Sequence, residues 1–109
     1  MTGIAMSRAA SGLLRALLRR TAERSDRILL TELQSQDWQS LTFSGERHTI
    51  RLRVTGSNAA SIVRSLTSGL EDAEFSIPGQ IIADIEVASA VSGPDGSVSL
   101  TIEALTIAE

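Results

Sequence analysis

Three arginines and a histidine near the middle of the chain are the side chains best suited to chemistry. Arg47, Arg51 and Arg53 could bind a carboxylate or phosphate through their guanidinium forks, and Trp38 is expected on the same face. His48 is the only histidine, so it is the only candidate base for a Ser-His-Asp triad. The sequence places no nucleophile or orienting acid beside it. We therefore expect a structural histidine, and arginines that face solvent or the acidic second half of the chain.

The carboxylates of the second half are a weaker indication of chemistry. Asp84 and Glu86 share one face of a predicted strand, and Glu103 lies on the next strand. Paired carboxylates can act as acid and base or bind a metal, but alternating acids are also typical of a solvent-facing strand that resists edge pairing. The chain has no cysteine and no spacing typical of a phosphate or dinucleotide loop. We expect no metal, no cofactor and no enzymatic activity.

Charge is divided unevenly along the sequence. All ten basic residues are arginines within residues 1–64, which also hold five acids, so the net charge of this segment is 10 − 5 = +5. Residues 65–109 hold eight acids and no basic residue, a net charge of −8. Such asymmetry is typical of interaction surfaces. The favoured interpretation is that the two halves neutralise each other, because the overall charge of −3 argues against nucleic acid as a partner.

Length and composition predict one folded domain over residues 1–109. The chain is 42% hydrophobic and 21% charged, which is ordinary for a folded protein and too apolar for disorder. Only 3% of the residues are aromatic, so a base-stacking platform for nucleic acid is nearly excluded. Nothing in the sequence requires an oxidising compartment, and we expect a cytoplasmic location.

An amphipathic helix is predicted over residues 5–22. Its apolar stripe lies opposite three arginines and consists of Met6, Ala10, Leu13, Leu14, Leu17 and Leu18. The favoured interpretation is a structural helix packed on a sheet. Two alternatives stay open, because an arginine-rich amphipathic N-terminus is also typical of an organelle transit peptide or of a helix lying on anionic lipid. Residues 27–35 could be helix or strand, and we expect helix.

A β-hairpin is predicted over residues 38–55. Apolar and polar residues alternate on both arms, and Gly45-Glu46 suits a two-residue type II′ turn. This turn would pair Phe43 with His48, and it would place Trp38 opposite Arg53 for a cation–π contact.

A second helix and a long second hairpin complete the predicted order. The helix spans residues 58–68, with Gly69 in the left-handed conformation after its end. Gly93-Pro94-Asp95-Gly96 predicts a turn between strands at about 81–92 and 97–107. In the second of these strands, the apolar residues change from even to odd positions, and this parity change predicts a β-bulge near Ala104. The fold class is therefore α+β, in the order α-β-β-α-β-β, with helices on one face of an antiparallel sheet of about four strands.

The second hairpin is predicted to mediate association. Its arms are about twice as long as a typical strand, so its tip should overhang the core and expose apolar residues. The expected homodimer interface consists of Val91, Val98, Leu100 and Ile102. The predicted function is a small non-enzymatic protein-interaction or assembly domain, homodimeric, with an unknown protein partner. The alternative is a polyanion- or membrane-surface-binding module built on the first helix, whose apolar side is Leu13, Leu14, Leu17 and Leu18.

Overall fold

The computed structural model describes residues 6–21 and 27–109 and confirms the α+β class and the element order. The strands form one antiparallel sheet in the order β1-β2-β4-β3. The elements are, along the chain, α1 (Arg8–Arg19), β1 (Ile28–Gln39), β2 (Ser44–Val54), α2 (Ala59–Thr67), a 3₁₀ turn (Leu70–Asp72), β3 (Gln80–Ser92) and β4 (Val98–Ala108).

Both helices pack on the same side of the sheet, which we call the helix face. Leu13 and Leu17 of α1 and Leu66 of α2 have no exposed surface and join alternate residues of the strands in the core. Ser7 fixes the start of α1, because its hydroxyl accepts the N–H of Ala10 at 3.1 Å. Strand residues of the other parity point away from the helices. They form the outer face, which no helix of the described residues covers.

The prediction of a helix over residues 27–35 is wrong, because the chain forms strand β1 from Ile28 onwards. The pattern misled because Thr31 is an extra residue in a bulge, between the pairs Leu30–Leu52 and Glu32–Arg51. The bulge shifts the parity, so Leu30 and Leu33 both face the core although three positions separate them. This spacing of three also suits a helix, and sequence periodicity alone does not distinguish the two.

The turn expected at Gly45-Glu46 is also wrong. The first hairpin turns at residues 40–43, where the Ser40 hydroxyl accepts the Phe43 N–H at 3.0 Å. Gly45 lies inside β2 instead. The position requires glycine, because a Cβ there would overlap the Thr106 carbonyl oxygen of β4. The pairing changes accordingly, and Ser35, not Phe43, lies opposite His48.

The second hairpin forms with the predicted arms and turn, but its bulges and its tip differ from expectation. The bulges are at Ala83 and Ala88 of β3, and the parity change near Ala104 reflects burial on both faces of β4. No apolar overhang forms on β4, because β2 runs beside it as far as the Val54–Val98 pair. As a result, three of the four expected interface residues are core: Val98, Leu100 and Ile102. Only Val91 is exposed, at 61%.

Candidate interaction surface

The predicted arginine face exists on the outer face of the sheet. Arg47, Arg51 and Arg53 project from alternate positions of β2 and are all exposed. Trp38 shares this face but lies opposite Gly45, far along the strand from Arg53, whose partner on β1 is Leu29. The predicted contact between Trp38 and Arg53 is therefore wrong, and its cause is the misplaced turn.

Two ion pairs lie within the described residues, and both involve these arginines. Arg51 lies 3.8 Å from Glu32, and Arg53 donates to Asp95 at 2.8 Å. The second pair joins the basic and the acidic halves of the chain, as expected. Both pairs are solvent-exposed, so each contributes little to stability. The pKa of Asp95 falls to about 2, first because of its hydrogen bonds with Ser97 in the turn, and only then because of Arg53.

Glu32 of β1 pairs with Arg51, whereas the acidic residues of β4 and β3 on the outer face lie to one side of the arginines. Thr49 separates Arg47 from Arg51 on β2 and lies opposite Glu103 of β4. Glu103 in turn lies opposite Glu86 of β3. The β2 side of the outer face is therefore positive, and the β4–β3 side is negative.

An apolar row crosses one end of the outer face. Trp38, Gly45, Ile107 and Ile81 are successive neighbours across the four strands. Ile107 on a central strand is nearly buried, whereas Ile81 is 51% exposed on the edge strand. Phe43, in the adjacent turn, is 57% exposed. The sequence interpretation missed this row. The parity change in β4 was the sequence signal for this row, because it indicates that the end of the strand is apolar on both faces of the sheet.

A shallow depression lies near the centre of the outer face. It encloses about 170 Å³, and the residues that line it are Gln34, Gln36, Arg47, His48, Thr49, Glu103 and Ala104. Ligand pockets typically enclose about 300–1,000 Å³, so this depression is too small for an ordinary small-molecule ligand. The outer face is therefore better suited to a flat contact than to a bound small molecule.

His48 lies on the opposite side of the sheet from the arginines. Its side chain points to the helix face, is 2% exposed, and lies 2.7 Å from Ser35 Oγ and 2.9 Å from Thr106 Oγ1. Burial lowers the pKa of His48, and the carboxylate of Glu46 partly opposes this shift. The His48 ring and the guanidinium group of Arg51 therefore lie on opposite faces of β2.

The apolar side of α1 packs against the sheet. Leu13 and Leu17 are fully buried against the sheet, and Leu14 and Leu18 are half-buried. The ends of the predicted helix at residues 5 and 22 lie outside the described residues. Within the described ranges, no helix is long and apolar enough to cross a membrane, and no group of three or more His, Asp or Glu could hold a metal ion.

Comparisons with protein-family models, with curated proteins and with solved structures find no match for this chain.

Proposed function

We propose that this chain is a protein-interaction domain that forms a homodimer through the outer face of its sheet. The apolar row at the end of that face carries the proposal. An antiparallel sheet can leave one face to solvent, but that face is then polar along its length. Here the row places a nearly buried Ile107 between a half-buried Trp38 and a half-exposed Ile81. Exposed apolar clusters with a polar rim are typical of protein interfaces.

Charge complementarity favours a second copy as the partner. Consider a two-fold axis that lies in the interface, parallel to the strands and midway between β2 and β4. It places β2 of each copy over β4 of the other copy. Arg47 and Arg51 of one copy then flank Glu103 of the second copy, and the two apolar rows meet. The contact is isologous, as it is in most homodimers. An axis perpendicular to the strands, within the interface, would instead place arginines on arginines.

The outer face is also large enough for such a contact. β2 and β4 have 11 residues each. At about 3.3 Å per residue and about 4.8 Å between four strands, the face measures roughly 36 by 19 Å. Its area of about 700 Å² is close to the roughly 800 Å² per partner of a standard interface.

The edges of the sheet are poor alternatives to its face. β1 has a bulge at Thr31, and β3 has bulges at Ala83 and Ala88. Bulges interrupt the row of unpaired backbone groups that a further strand would need. An outer-face contact therefore agrees with the geometry better than a continuous sheet across two copies.

Sedimentation of the wild type and of two matched glutamate variants tests the proposal. We expect a dimer at tens of micromolar and a monomer for Ile81→Glu, because a carboxylate in the apolar row would lose its hydration. Ala60→Glu is the control: it adds the same charge to the exposed side of α2, on the helix side of the sheet. A monomeric wild type, or an Ile81→Glu protein that dimerises as well as wild type, would overturn the proposal.

A further inference from the structure

A second surface lies where α1 meets the segment 76–80. Gly12 permits this contact, since a Cβ there would lie 2.7 Å from the side chain of Ile77, which is buried. An open groove of about 930 Å³ runs along this junction. Its opposite wall supplies polar groups from Ser76 and Gln80. The volume falls within the range typical of ligand sites, unlike that of the depression on the outer face.

Three exposed arginines line this groove in one straight row. Arg8, Arg15 and Arg19 are separated by seven and four residues, so at about 100° per residue they lie within about 40° of one another around the axis of α1. From Arg8 to Arg19 the row spans about 16 Å, at about 1.5 Å per residue. Arg15 donates to the Ser11 hydroxyl at 3.1 Å, which directs its guanidinium along the row.

The groove has no carboxylate among the described residues that line it. The Glu46 carboxylate accepts a hydrogen bond from Ser7 at 2.7 Å, at the N-terminal end of α1. Arg15 and Arg19 lie two to three turns further along the helix. The described lining also contains no aromatic ring, so a ligand would be recognised through its charges and not by stacking of a base.

We propose that this groove binds a ligand that carries at least two phosphate groups. Guanidinium forks bind phosphate oxygens in pairs, and the hydroxyl and amide groups of the groove add further donors. A single phosphate would engage one arginine or two, whereas the row offers three along about 16 Å. The phosphates could belong to a free oligophosphate or to lipid headgroups. Insertion of α1 into lipid is not required, and its buried leucines oppose it.

Titration with tripolyphosphate at low salt tests the free-ligand source. We expect the wild type to bind and the double variant Arg15→Gln/Arg19→Gln to bind at least tenfold more weakly. Arg64→Gln is the matched control for the single variant Arg15→Gln, because each removes one positive charge from an exposed helix position. Only Arg15→Gln should weaken binding.

Vesicles of neutral lipid, with and without phosphatidic acid, test the headgroup source in parallel. We expect the wild type and Arg64→Gln to bind the acidic vesicles and the double variant to lose this binding. This result supports the proposal with lipid headgroups as the ligand. Equal weakening by Arg15→Gln and Arg64→Gln in either arm overturns the proposal, because the effect would then follow net charge alone. Failure of the wild type to bind in both arms also overturns it.

Discussion

His48 Nε2 lies 2.9 Å from Thr106 Oγ1 in the buried layer between the sheet and α1. Its other ring nitrogen lies 2.7 Å from Ser35 Oγ, so the imidazole connects β2 with both of its neighbours. Hydroxyl groups can donate to or accept from either nitrogen, so the neutral ring is fully satisfied. A charged ring would lose its hydration, and the Glu46 carboxylate offsets only part of this cost. His48 therefore stabilises the fold as a neutral side chain.

Stability should consequently fall in mild acid. Burial lowers the pKa of His48 in the folded state, so the unfolded chain binds the proton more readily. The free energy of unfolding should be constant well above pH 6.5 and should decrease as the pH falls below about 6.5, the pKa of an unfolded histidine. Urea denaturation at pH 7.5 and at pH 5.5 measures this difference.

A His48→Gln variant should lose this dependence on pH, because an amide does not titrate. Asp95 does not interfere, since its pKa of about 2 places its folded-state titration far below this range. An NMR titration of the wild-type ring should give a midpoint below 6.5. A midpoint at or above 6.5, or an equal acid loss in the glutamine variant, would contradict a buried neutral histidine.

The core contact of α1 gives a second prediction. Leu17 is fully buried, so Leu17→Ala should lower the free energy of unfolding by about 2–5 kcal/mol. Leu14 is only half-buried on the same helix, and Leu14→Ala should cost less. Chemical denaturation of both variants gives the comparison. Equal stability of Leu17→Ala and wild type would show that α1 does not pack on the sheet in solution.

The elements that the sequence predicted correctly are those with strong local signals. Gly69 adopts a φ of 63° just after α2, as the predicted helix end requires. The turn of the second hairpin lies within the Gly93–Gly96 segment, where glycine and proline restrict the backbone. Both features depend on a few adjacent residues, so no knowledge of distant contacts was needed.

The first hairpin was misplaced because distant contacts decide it. Gly45 looks like a turn residue, yet it lies within β2 because the strand passes close to Thr106, about sixty positions along the chain. The actual turn depends on the hydroxyl of Ser40, a weaker sequence signal than a glycine. The interface residues were misassigned for a related reason. The sequence could not show that β2 pairs with β4 and so covers Leu100.

Gly45 itself provides a third prediction. A methyl group at this position would overlap the Thr106 carbonyl, so Gly45→Ala should push β2 and β4 apart. We expect a loss of about 1–3 kcal/mol, which is typical of overpacking. Ser44→Ala, at the adjacent exposed position, should have a smaller effect. Thermal melts of both variants test this, and equal melting temperatures would contradict the close approach of the strands.

The last prediction concerns the charges of the proposed dimer. With the axis parallel to the strands, Arg51 of each copy lies near Glu103 of the other, so the contact occurs twice. Arg51→Glu and Glu103→Arg should each weaken self-association at least tenfold, because each creates two like-charge contacts. Salt should also weaken the wild-type dimer, since the screening length falls to about 3 Å at 1 M.

A mixture of these two variants should form a heterodimer. Glu at position 51 of the first variant then meets Arg at position 103 of the second, and the other contact is the native Glu103–Arg51 pair. Both contacts are attractive again, although neither variant associates with itself. Sedimentation of the single variants and of the 1:1 mixture measures this directly. Face-to-face association with a different axis would leave self-association in the mixture as weak as in each variant alone. Failure to recover the dimer would therefore reject this geometry even if the wild type dimerises.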